Sequence, residues 1–183
     1  MLCSLSGETN NRLTIPETEY GVEVCGCAVQ GMQQKATEER QQPMTVRSAQ
    51  AHWEGSLTEG QGEVEFLNSN LGSVAVDWRS RSAETEGRTS PEELIAAAHS
   101  ACFSMALSGA LAKNGTPPAT IDTRADVTFV VGEGITGIVL TVRASVPGLS
   151  AEDFATFADG AKTGCPVSAA LTGTTIELDA ALV

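Results

Sequence analysis

Three features of this chain predict an α+β domain, a largely antiparallel sheet packed with a central buried helix. Strand-like segments form two groups, one near residues 49–78 and one, rich in Val, Ile and Thr, at 121–146. Between the groups runs one long Ala-rich apolar segment, with a helix start signal at Ser90-Pro91 and a stop at Asn114-Gly115. Two further helical segments and a last strand follow, and this order of strands, helix, strands, helices and strand is that of an α+β fold.

The 183 residues, 42% hydrophobic and 19% charged, suit one domain with a buried core. Residues 1–43 differ: they are polar and rich in Gln and Glu, and they close on Glu38-Glu39-Arg40-Gln41-Gln42-Pro43. They are expected to be an N-terminal extension of unknown role, with one edge strand over Tyr20 to Val29, and the domain itself to span 44–183. From Met44 onward, strands are predicted at Ala49 to Glu54, Gly62 to Leu67 and Ser73 to Trp78. The turn signals Gly60-Gln61-Gly62 and Asn68-Ser69-Asn70 separate them into an antiparallel meander.

A polar loop, Ser80 to Thr89, leads into the long helix. Ser90 is its N-cap, Pro91 takes the first helical position and Glu93 is the expected capping-box partner. The helix should run to about Lys113. Ile121 to Val131 and Ile135 to Val146 read as a hairpin around Gly132-Glu133-Gly134. Ser150 and Asp153 cap a helix whose Phe154, Phe157, Ala158 and Ala161 share a face. Gly164-Cys165-Pro166 ends that helix and starts a short one through Leu171, before a strand near Thr174 to Leu182.

The formal net charge of −12, with 11 Lys and Arg, argues against nucleic acid and against anionic membrane surfaces, because both are bound through basic side chains. The apolar run Leu94 to Leu111 is broken by His99, Ser100, Ser104 and Ser108, which favours a buried helix over a membrane span. Met1 to Asn11 carries no secretory pattern, so a cytoplasmic location is expected. Five cysteines without a CxxC pair suggest neither a disulfide framework nor a zinc ribbon. No residue cluster has metal-ligand spacing and no Gly-rich phosphate loop follows a strand, so no cofactor is expected.

Two cysteines compete for a chemical role. Cys102 lies mid-helix, too far from the helix end for the dipole to lower its pKa, and taken alone it is a core residue. Cys165 precedes Pro166 at a helix start, where unpaired backbone N–H groups favour a thiolate. Local physics therefore chooses Cys165 as the nucleophile. Nothing near Cys3, Cys25 or Cys27 favours a thiolate in the same way.

Two strings carry a family resemblance. Thr89-Ser90-Pro91-Glu92-Glu93-Leu94 through Ala98-His99-Ser100-Ala101-Cys102-Phe103-Ser104-Met105, and Gly164-Cys165-Pro166-Val167-Ser168, resemble the signature segments of the OsmC/Ohr family (osmotically inducible protein C and organic hydroperoxide resistance protein). The similarity runs from about Ala51-His52-Trp53-Glu54-Gly55 to the C-terminus and includes Ser145-Val146-Pro147-Gly148. His99 before the cysteine and Val167 after Cys-Pro resemble the OsmC branch.

The resemblance reverses the ranking of the two thiols. It implies a peroxidase in which Cys102 attacks an organic hydroperoxide and becomes a sulfenic acid, which Cys165 then captures as an intrachain disulfide. An external dithiol, such as a lipoyl-bearing protein, would reopen that bond. The family also implies an Arg, held by a Glu, that favours the buried thiolate. One cation ~4 Å away at an effective dielectric near 20 is worth roughly 4 kcal/mol, on the order of three pKa units before burial is subtracted. Glu92 matches the Glu. Arg81 fits the Arg with one inserted residue, Arg79 comes next, and Arg88 lies too close to the helix. His99 is read as a helix-packing residue, with proton carrier as the lesser alternative. A reading from another class, a small-ligand binding or dimerisation module with structural cysteines, stays open.

Glu92 and Cys102 stand ten positions apart on one predicted helix, roughly 15 Å along its axis. Nothing in the sequence kinks the helix before Gly109. A homodimer in which Glu92 and the loop Arg of one chain approach Cys102 of the other would join them, and the intertwined dimer that the resemblance implies agrees.

Overall fold

The computed structural model describes residues 44–83 and 87–183. The predicted strand at Tyr20 to Val29, the predicted extension 1–43, and Cys3, Cys25 and Cys27 lie outside the described residues.

Strands β1 (Ala49–Glu54), β2 (Gln61–Phe66) and β3 (Ser73–Asp77) form the expected antiparallel meander. The chain then departs from the prediction. Residues read as strand end and loop form a short helix, α1 (Trp78–Ser82), because Asp77 accepts the Ser80 N–H while the Ser80 hydroxyl reaches back toward the Asp77 N–H. This reciprocal cap starts a helix where polar composition suggested a loop.

Helix α2 (Pro91–Lys113) is continuous over 23 residues. The Ser90 hydroxyl caps it by accepting the Glu93 N–H, as expected. The second half of the predicted capping box is replaced, because the Glu93 carboxylate takes the Thr89 hydroxyl at 2.6 Å instead. Gly115, at φ +84°, supplies the left-handed residue after the C-cap Asn114.

Strands β4 (Thr120–Val130) and β5 (Gly134–Ser145) pair as the predicted hairpin. Ile138, Leu140, Val142 and Ala144 of β5 alternate inward, and helix α3 (Ala151–Gly164) turns Phe154, Ala158 and Ala161 onto the same core. From α2, Phe103, Leu107 and Leu111 complete it at a four-residue spacing. Helix α4 (Pro166–Ala170) and strand β6 (Thr175–Leu182) end the domain.

The single largely antiparallel sheet is corrected to two three-stranded sheets, β1-β2-β3 and β4-β5-β6, and β6 lies parallel to β5. The reason is the connection: α3 and α4 between β5 and β6 return the chain to the end at which β5 began, which a tight hairpin cannot do. By length and composition alone α2 could cross a membrane. Here it packs against β4, α3 and α4.

Candidate active site

The site residues fall into two pairs at different points along α2. Cys102, on the turn before Phe103, meets Cys165, the residue between α3 and α4, with sulfur atoms 3.0 Å apart. Both are free thiols, well beyond the ~2.05 Å of a disulfide. The contact arises because α2 packs on both α3 and α4, and Pro166 breaks the helical run at Cys165.

The environments of the two thiols differ. Burial pushes the Cys102 thiol up, and its hydrogen bond with Cys165 pushes the same way. Burial also opposes ionisation of Cys165, but the hydrogen bond with Cys102, the Ser168 N–H and hydroxyl, and the Val167 N–H together outweigh it, so this thiol is lowered. Cys165 makes no side-chain hydrogen bond that caps α4, so these groups act as nearby dipoles. Access runs the other way: Cys165 is 0% exposed, whereas Cys102 is partly exposed.

The second pair sits at the start of α2. Arg81, in the last turn of α1, places Nε and Nη2 each 2.8 Å from the same Glu92 carboxylate oxygen. Its guanidinium lies 4.1 Å from the centre of the Phe129 ring, and Trp78 meets Phe129 edge-on at 6.4 Å. Phe129 follows a register shift in β4, the kind of irregularity that re-aims a side chain. The other Glu92 oxygen is buried and has no hydrogen-bond partner. Beside Arg81 is a cavity of about 350 Å³, walled by Trp53, Leu57, Val76, Trp78 and Leu94.

Arg88 pairs with Asp77 at 3.5 Å, and both Arg88 and Arg79 help hold the Asp77 carboxyl below its usual range, after the hydrogen bond from the Ser80 N–H. Arg81 is thus the member of this group that bonds Glu92. One chain does not bring its two pairs together, because α2 carries Glu92 and Cys102 ten residues apart without a break, roughly 15 Å. His99 is buried, and its Nε2 lies 2.9 Å from the Ser168 hydroxyl.

Residues 83–179 match the family model of OsmC-like proteins. The chain is 45% identical over 132 residues to peroxiredoxin OsmC of Escherichia coli (strain K12), across 70% of this chain and 92% of the relative. Peroxiredoxin OsmC of Shigella flexneri matches to the same extent. The chain belongs to the OsmC family.

The relatives named OsmC agree with the branch read from His99 and Val167. Among solved structures, an organic hydroperoxide resistance protein OsmC from Legionella pneumophila superposes with a TM-score of 0.58 at 22% identity, covering 76% of this chain and 99% of that one. An organic hydroperoxide resistance protein from Elizabethkingia anophelis gives 0.58 at 23% identity, covering 77% and 99%. At such identity these two show the shared OsmC fold.

Sequence reasoning did not foresee Ser168, Trp78 or Phe129 beside the candidate site residues. A signal for α1 was present in Asp77 and Ser80, three residues apart, and it would have turned Arg81 toward Glu92. Phe129 carried no such signal, since its position depends on a register shift in a long strand.

Proposed function

We propose that this chain, a cysteine-based peroxidase of the OsmC family, reduces organic hydroperoxides to alcohols, with Cys102 as the attacking thiol and Cys165 as the resolving thiol. The observation that carries this reading is the contact of two free thiols at 3.0 Å with unequal access. A peroxide can meet the partly exposed Cys102 but not Cys165 at 0% exposure.

The Cys102 thiolate attacks the terminal peroxide oxygen and the O–O bond breaks. The sulfur is oxidised to a sulfenic acid, and the departing alkoxide takes a proton and leaves as the alcohol. Cys165 then attacks the Cys102 sulfur, the S–S bond forms, the S–O bond breaks, and hydroxide leaves as water. An external dithiol, a lipoyl-bearing protein among the candidates, reduces the disulfide in a reducing cytoplasm. Two solved structures of similar fold are named organic hydroperoxide resistance proteins, and the apolar walls of the cavity beside Arg81 suit an alkyl chain.

The thiol that attacks is the one burial raises, so it needs a cation. In this reading a homodimer supplies it, with Arg81 and Glu92 of one chain set against Cys102 of the other. The unpartnered Glu92 oxygen and the exposed Ala97, Ala101 and Met105 on α2 support a surface completed from outside one chain.

The test is peroxide stoichiometry with mass spectrometry. Excess organic hydroperoxide should join Cys102 to Cys165, and dithiol should reverse the bond. Cys102→Ser should lose turnover by orders of magnitude, whereas Cys165→Ser should consume about one peroxide per chain and accumulate a sulfenic acid. Exchanged phenotypes would make Cys165 the nucleophile. A chain that forms neither product would be a binding or dimerisation module with structural cysteines.

A further inference from the structure

Alternation along β4 places Ile121, Thr123, Ala125, Val127 and Phe129 on one face. Ile121 and Ala125 pack on the core from it, and Thr123 accepts a hydrogen bond from the Ser104 hydroxyl of α2 at 2.8 Å. Phe129 stands at the far end of this row. Its ring meets an indole and a cation instead: Trp78 edge-on, and the Arg81 guanidinium 4.1 Å from the ring centre.

A guanidinium is planar, with its N–H donors around the edge and none on its faces. Glu92 holds one edge of Arg81, but Nε and Nη2 both reach the same carboxylate oxygen. A fork closed on two oxygens would fix the plane, whereas contact with one oxygen leaves the group free to pivot about it. The Arg81 side chain is also 32% exposed, so water competes for its donors. Phe129 supplies the missing constraint by covering a face of the guanidinium. Its 4.1 Å lies well inside the ~6 Å reach of a cation–π contact, while Trp78, at 6.0 Å, lies at that limit. A second carboxylate could stop the pivot too, but it would cancel the charge that a thiolate needs. A ring face holds a cation and carries no net charge of its own.

We infer that Phe129 is a positioning residue: its ring clamps the Arg81 guanidinium on Glu92 and keeps the Nη1 side of that cation available to the Cys102 thiolate. Among the described residues Nη1 makes no hydrogen bond. The role rests on the reading of Arg81 as the cation that serves Cys102. Phe129 acts through Arg81, and no bond forms or breaks at the ring. Trp78 steadies the ring from its edge.

The test changes the electrons of the ring and leaves its shape. Phe129 of the full-length chain is replaced by mono-, di- and trifluorinated phenylalanine. Each fluorine withdraws charge from the ring face, so the hold on a cation weakens stepwise while packing stays nearly the same. Two rates at Cys102 are followed in the reduced chain by peptide mass spectrometry. One is sulfenic acid formation with one equivalent of cumene hydroperoxide, trapped by dimedone, and the other is alkylation by iodoacetamide as a function of pH. Both rates should fall in even logarithmic steps at neutral pH, roughly tenfold across the series, as the alkylation profile moves up by about one pH unit. Phe129→Leu should match the trifluorinated ring. In Arg81→Ala the same series should be flat, since the ring then has no cation to hold.

Rates that ignore fluorine, beside a slow Arg81→Ala, overturn the inference, because a ring that only fills space is indifferent to its own electrons. A decline of equal size in the Arg81→Ala background overturns it as well, since the ring would then act on something other than the guanidinium. Thermal melting establishes that each variant folds, and the fluorinated rings, nearly the shape of the native one, decide the matter if Phe129→Leu does not fold. Native rates in Arg81→Ala itself would instead refute the reading of Arg81 as the cation, and this inference would fall with it.

Discussion

Burial raises the thiol of Cys102 while hydrogen bonding lowers that of Cys165, so ionisation within one chain favours the sulfur that a peroxide cannot reach. Access and ionisation must be satisfied at one atom, and the proposed dimer does this by bringing a cation to the reachable thiol. The same scale carries a pH prediction at His99. Burial lowers its pKa below the usual 6.5, so as pH falls the unfolded chain takes up this proton before the folded one does. The stability tied to neutral His99 is present above about pH 6.5 and is lost as pH falls below that value. Urea unfolding of His99→Gln should therefore show a shallower loss of stability than the native chain from about pH 7 to pH 5. Equal slopes would mean that His99 takes up its proton equally well in the two states.

At the scale of elements, α1 connects the loop sequence to the site. Its reciprocal cap between Asp77 and Ser80 sets the turn from which Arg81 reaches Glu92, while Arg88 stays with Asp77. Arg81→Ala should raise the pKa of Cys102 and slow its alkylation at neutral pH on the order of tenfold, and Arg88→Ala should change the profile little. The dependence of alkylation rate on pH measures both, and a large shift in Arg79→Ala with none in Arg81→Ala would move the cation to Arg79.

The elements also show what the sequence made legible. The Ser90-Pro91 start of α2, the Gly-rich hairpin and the face of α3 are local signals, written within a few residues of where they act. The parallel pairing of β6, the split into two sheets and the stacking of Phe129 on Arg81 depend on residues far apart in the chain, which periodicity does not encode. The contact between Cys102 and Cys165 is of this second kind. It was expected from family resemblance, because local physics ranked the two thiols without placing them together.

For the whole molecule, a single copy leaves one face of its most apolar helix uncovered: Ala97, Ala98, Ala101, Met105 and Gly109 of α2 are exposed, Met105 to 68%. An uncovered apolar face on the helix that carries Cys102 is the expected mark of an interface between copies. The central claim is that Cys102 of one chain is activated by Arg81 of another, and mixing two inactive variants tests it most directly. Cys102→Ser and Arg81→Ala chains are co-refolded, hybrid dimers are verified by mass spectrometry, and hydroperoxide turnover is measured with a dithiol reductant. The account predicts that hybrids regain about one intact site per dimer, roughly half of native activity, because one native Arg81 then faces one native Cys102. Activity that stays at the parental background in verified hybrids would place Arg81 and the Cys102 it serves in the same chain and contradict the account.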